Sequence, residues 1–174
     1  MLTSPTLINS YEYKQDRIHR QKRLSAKYQK PVILVSAYLP NELAEKDYAN
    51  QIFTDALGHV ETELKKVQWK CIARHRTHHK LGSDAMLVID THDAKLIKKI
   101  MMKIEHEHPL GKLMNIDVYN SFGQALSRAS CNMPPRKHMF RKSTALFHSN
   151  ENYFECDEIE KQITVMMDRA TTSA

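Results

Sequence analysis

The run VILVSAYL at residues 32–39, followed at once by a helix-periodic stretch, constrains this chain more than any other feature. A short, β-branched apolar run behind Pro31 has the length and composition of a strand buried on both faces, so it belongs inside a sheet. In PNELAEKDYANQIFTDALGHVETELKKV, Phe53, Leu57, Val60, Leu64 and Val67 recur at steps of three and four, which predicts an amphipathic helix lying on that sheet. WKCIARHRT and SDAMLVID, joined through HHKLG, read as a hairpin, with RHRTHHK near its tip. A helix over 92–106, capped by Asp90 or Thr91, would carry a core stripe of Leu96, Ile97, Ile100 and Ile104. KLMNIDVYN and GQALSR read as another strand pair, and a last helix over about 156–170 aligns Ile159, Ile163, Met166 and Ala170. Residues 7–28 lack Pro and Gly and are dense in charge, which predicts a mostly exposed helix with a thin apolar face of Leu7, Tyr11 and Ile18. The expected fold is α+β, a mixed, mainly antiparallel sheet with helices over one face, in a single domain spanning 1–174.

Charge narrows the choice of partner. The chain has 26 Lys and Arg against 20 Asp and Glu, a net charge of +6, and ten histidines. This balance favours phosphate, nucleotide or nucleic acid, although it also serves solubility. Four glycines leave little for an extended Gly-rich phosphate loop. Cys71, Cys131 and Cys156 are odd in number and widely spaced, so free thiols are expected and a zinc ribbon is not. No apolar run reaches membrane-spanning length and the start lacks the form of a secretory signal, so the expected compartment is the cytoplasm.

The chemistry centres on IEHEHPLGKLMNIDVYN. Strand alternation sends Met114, Ile116 and Val118 to one face and Asn115, Asp117 and Tyr119 to the other. In phosphoryl and nucleotidyl transfer, two carboxylates at the Asn115/Asp117 spacing hold Mg2+ against a triphosphate. Here the first position is an amide, which keeps a carbonyl oxygen and removes one negative charge. A plain solvated strand remains the alternative on pattern alone.

EHEHPLGKLMNIDVYNSFGQALSRASCNMPPRK resembles the central signature of the citrate lyase holo-acyl-carrier-protein synthase family, the apo-citrate lyase phosphoribosyl-dephospho-CoA transferases. The family typically reads His-Pro-Leu-Gly-Arg-Leu-x-Asp-x-Asp-Val, then Ser-Arg, then Pro-Pro-Arg. KQDRIHRQKRL and PVILVSAYLPNE look like its first helix and strand, so the resemblance covers roughly 7–148. It implies a nucleotidyltransferase-like fold and transfer of a phosphoribosyl-dephospho-CoA group from triphosphoribosyl-dephospho-CoA to a serine of the citrate lyase acyl carrier subunit, releasing pyrophosphate. Carried onto this chain, it implies Asp117 and Asn115 as catalytic and Mg2+-binding residues. It implies His108, Gly111, Lys112, Arg128 and Arg136 as substrate-binding residues, with Lys112 standing for the family Arg. The chain departs from the family at Asn115, in Tyr11-Glu12-Tyr13-Lys14, in Tyr38-Leu39-Pro40-Asn41, and at His138, Arg141 and His148, where the family often has cysteines. These departures leave open a relative that binds a nucleotide or protein without transferring anything.

Other clusters carry weaker readings. RHRTHHK suits a solvated loop or a basic phosphate patch better than a metal site, because no carboxylate is close in sequence. Lys14, Arg17, Arg20, Lys22, Arg23 and Lys27 could contact nucleic-acid phosphates, but few stacking aromatics accompany them. Met101, Met102, Met166 and Met167 have core spacing. A Ser127/His108/Asp117 triad is rejected, because no nucleophile elbow surrounds the serine.

Overall fold

The computed structural model describes residues 5–136 and 156–172. They form α1 (Pro5–Tyr28), β1 (Val32–Ala37), α2 (Asp47–Lys66), β2 (Cys71–His79), β3 (Gly82–Ile89), α3 (Ala94–Glu107), β4 (Met114–Tyr119) and α4 (Cys156–Thr172). The strands make one antiparallel sheet in the order β2-β3-β1-β4. The α+β class is as expected, and β1 is an inner strand with Val32, Ile33, Leu34 and Val35 buried on alternating faces.

Alternation divides those four residues between two cores. Ile33 and Val35 join Leu87, Ile116 and Val118 beneath Phe53 of α2, Ile97 of α3 and Ile163 of α4. This is the main core, where each fully buried side chain of that size contributes about 1.5–3 kcal/mol. Val32 and Leu34 join Met86 and Val88 in a smaller cluster under Leu24 and Tyr28 of α1. Helices therefore cover both faces, not one.

The side chains of α1 depart most from expectation. Tyr11 and Ile18 are 64% and 43% exposed, while the polar Ser10, Arg20, Gln21 and Ser25 are buried. The Leu7 side chain lies outside those described. The hairpin turn is Lys80-Leu81, since His79 pairs with Gly82, so Arg74–His79 belongs to β2 and not to the tip.

α3 starts later than expected. Its cap is Asp93, whose Oδ1 accepts from the Leu96 amide at 2.9 Å, in place of Asp90 or Thr91. That phase turns Leu96 outward at 43% exposure and buries Met101 and Met102 with Ile97 and Ile104. GQALSR forms no strand; a single bridge joins Ala125 to Tyr119. β4 is consequently an edge strand, and α3 seals its backbone. Lys98 Nζ donates to Ile116 O at 3.1 Å, and Glu105 Oε1 accepts from Ile116 N at 3.0 Å. A sealed edge cannot recruit another strand. Among the described residues, no helix is long and apolar enough to cross a membrane.

Candidate functional site

Strand register gathers the polar residues on the α1 face. Thr77, Asp84, Ser36 and Asn115 form one row across all four strands, with Asp117 opposite Leu34 in the next row. Asn115 and Asp117 are half-buried and bonded to each other. Asn115 Nδ2 donates to Asp117 Oδ2 at 2.9 Å and lies 3.4 Å from Ser36 Oγ. Turning the amide about its last torsion would exchange Nδ2 for Oδ1 and set a second oxygen beside the carboxylate. Tyr119 is next on this face, and burial and the Asp117 charge hold its hydroxyl above the usual tyrosine range, against the pull of Arg17.

Asp84 is fully buried and answered from α1. Arg20 Nη1 and Nη2 donate to Asp84 Oδ1 and Oδ2 at 2.9 and 3.0 Å, the two-pronged geometry a guanidinium makes with a carboxylate. Arg20 also donates to Asp16 at 2.7 Å and Thr77 at 2.8 Å, and the Asp84 bond leads the causes that raise its pKa. Tyr13 OH donates to Asp84 Oδ2 at 3.0 Å; burial, then the Asp84 charge, push its pKa up to about 12. Tyr13 therefore remains a neutral donor at physiological pH. Its ring stacks on His79 at 4.7 Å, and the Arg17 guanidinium lies 5.6 Å from the ring centre on α1.

The remaining signature residues sit elsewhere. Gly111 is required by close approach, because a Cβ there would collide with the Glu105 backbone carbonyl. His108 Nδ1 accepts from the Leu110 amide at 3.0 Å, and its ring meets His59 edge-on at 4.2 Å. Burial, then the neighbouring His59, lower the His108 pKa. Arg128 and Arg136 both bind Glu105, at 2.6 and 3.3 Å. Arg136 also donates to the Gly111 and Lys112 carbonyls and lies 4.9 Å over the Tyr38 ring. Both guanidinium groups are thus committed to the carboxylate that seals β4, and a phosphate would have to compete with it. Lys112 is exposed beside them. Ser127 Oγ accepts from Ser130 N and His108 packs on His59, so no triad forms with Asp117. His138, Arg141 and His148 lie outside the described residues. Among the described residues, no three His, Cys, Asp or Glu side chains converge as a metal cluster.

Sequence reasoning did not find Ser36, Tyr13, Asp84 or the Arg20 anchor. The spacing of Tyr13, Arg17 and Arg20 along one helix face was the available signal, whereas Ser36 and Asp84 emerge only from register.

A family profile described as apo-citrate lyase phosphoribosyl-dephospho-CoA transferase matches residues 6–170. The chain belongs to this family. The match extends into α4, beyond the 7–148 that the motif resemblance covers. A relative from Vibrio cholerae serotype O1, named as a probable apo-citrate lyase phosphoribosyl-dephospho-CoA transferase, is 28% identical over 124 residues, covering 71% of this chain and 70% of its own. An Escherichia coli O1:K1 relative, named apo-citrate lyase phosphoribosyl-dephospho-CoA transferase, is 26% identical over 141 residues, covering 81% of this chain and 75% of its own. For this transferase family member, the matched span contains both the Asn115–Asp117 face and the Glu105 clamp.

Proposed function

We propose that the protein is a phosphoribosyl-dephospho-CoA transferase of nucleotidyltransferase type, working in the cytoplasm. The donor is triphosphoribosyl-dephospho-CoA and the acceptor is a serine of the citrate lyase acyl carrier subunit. The seryl oxygen forms a bond to the donor's first phosphorus as its proton passes to solvent, the P–O bond to the second phosphate breaks, and pyrophosphate departs. The observation that carries this reading is the Asn115–Asp117 pair, fixed side by side on β4 and tied to Ser36.

The donor set suits a magnesium ion, which takes hard oxygen ligands and fills its remaining positions with water and substrate phosphate. Asp117 would hold it through its carboxylate and Asn115 through its amide oxygen. When bound, Mg2+ supplies neutralisation of phosphate charge. Lys112 contributes an exposed cation beside β4. Gly111 and His108 shape the turn that starts the strand, while Arg128 and Arg136 fix its edge through Glu105.

The test supplies triphosphoribosyl-dephospho-CoA, apo acyl carrier subunit and Mg2+, and follows pyrophosphate release and carrier mass together. The expected result is a mass gain matched by pyrophosphate. Asp117→Asn should slow both by about 100-fold or more, since cation-borne charge stabilisation is worth several kcal/mol and each ~1.4 kcal/mol is tenfold. Folded wild-type protein that leaves the carrier mass unchanged would overturn the reading.

A further inference from the structure

Arg128 and Arg136 are engaged by Glu105 at the β4 edge, and a second group of cations gathers near the β2–β3 turn. A cleft of about 730 Å3 opens there between α1, the β2–β3 turn and the entry to α2, with Ser36 in its lining. That volume is ordinary for a small-molecule site. Ser36 also neighbours Asn115, so the cleft adjoins the Asn115–Asp117 pair through a shared side chain.

The cleft's cations are Arg17, Lys46 and Lys80, with His78 and His79 beside them; Glu45 and Asp47 oppose them. Lys46 is already paired with Glu160 at 3.0 Å. Among the described residues, Arg17 and Lys80 form no ion pair. Arg17 is also placed rather than free. Its guanidinium lies 5.6 Å from the Tyr13 ring centre, that ring stacks on His79, and the Tyr13 hydroxyl is anchored on buried Asp84. A planar guanidinium held in position matches two phosphate oxygens at once, and a lysine in the same lining supplies a point charge.

We propose that this cleft is a polyphosphate subsite, with Arg17 and Lys80 as its phosphate-binding cations and the Tyr13–His79 stack as the platform that orients Arg17. The assignment rests on the reading of Asn115 and Asp117 as the reacting pair, because their adjacency makes the bound phosphates those of the donor. RHRTHHK acquires a role in this way: His79 orients and Lys80 binds.

Titration calorimetry with inorganic pyrophosphate, in buffer without divalent metal, tests the cleft directly. Arg17→Ala and Lys80→Ala should each weaken binding by about tenfold, the scale of one charge-assisted contact. Arg17→Lys should recover only part of the Arg17→Ala loss, because the fork is missing. Lys99→Ala removes the same charge from exposed α3 and should bind as wild type does. Circular dichroism confirms that each variant is folded. Equal affinity across wild type, Arg17→Ala and Lys80→Ala, or no binding to wild type, overturns the subsite. Arg17-dependent binding without any carrier modification would retain the subsite and discard the transfer reaction. Carrier modification with Arg17-independent binding would do the reverse.

Discussion

Asn115 and Asp117 show how one charge sets the behaviour of a two-residue site. As an amide, Asn115 satisfies its neighbour, since its Nδ2 donates to Asp117 and the pair is stable without a cation. An aspartate there would put two carboxylates on one strand face and lose that donor. A hydrogen bond to a charged group is worth about 1.5–3 kcal/mol, and half-exposure reduces this towards 1 kcal/mol. Without divalent metal, Asn115→Asp should therefore melt about 2–4 °C below wild type, the shift that 1 kcal/mol produces at this chain length. Added Mg2+ should raise its melting temperature more than that of wild type and speed pyrophosphate release. If calorimetric scans show equal Mg2+ shifts for both proteins, the pair is not a cation site. Alternation along 113–119 exposed this pair in the sequence, because a period of two needs no tertiary knowledge. The Ser36 partner was hidden, because pairing across strands depends on register.

At the scale of elements, α1 docks by charge where α2 and α3 dock by apolar area. A search for apolar periodicity sees Tyr11 and Ile18 in α1 and assigns them inward, yet the buried centre is Arg20 on Asp84. An ion pair in a protected site leaves no periodic apolar mark, which is why α2 was legible and the orientation of α1 was not. Two charges of this kind cost desolvation together, but removing one alone leaves the other buried without its partner. Arg20→Met is expected to destabilise the fold by about 3–5 kcal/mol in urea unfolding. Arg20→Met combined with Asp84→Leu should lose less than the sum of the single changes, and a double-mutant cycle measures the difference. A loss below about 1 kcal/mol for Arg20→Met would mean that α1 is held by Leu24 and Tyr28 instead.

For the whole molecule, the order of elements, apart from the strand expected over GQALSR, and the inner place of β1 followed from the sequence, because long apolar runs and helical stripes are local signals. The placement of Arg128 and Arg136 did not, since their partner Glu105 lies 23 and 31 residues away and on a helix. That clamp makes the two edges of the sheet unequal. At β2 the outer backbone groups face away from the sheet, whereas at β4 the Ile116 amide is bonded to a carboxylate that two arginines hold in place. Hydrogen exchange should order the molecule accordingly. Amides of β1 and β3 should exchange only with global unfolding, the outward amides of β2 should exchange first, and Ile116 should resist despite its edge position. Glu105→Ala should bring Ile116 to the rate of the outer β2 amides while β1 and β3 stay protected. If Ile116 in the wild type already exchanges as fast as β2, the helix does not seal that edge, and the arginines have no structural duty to keep them from phosphate.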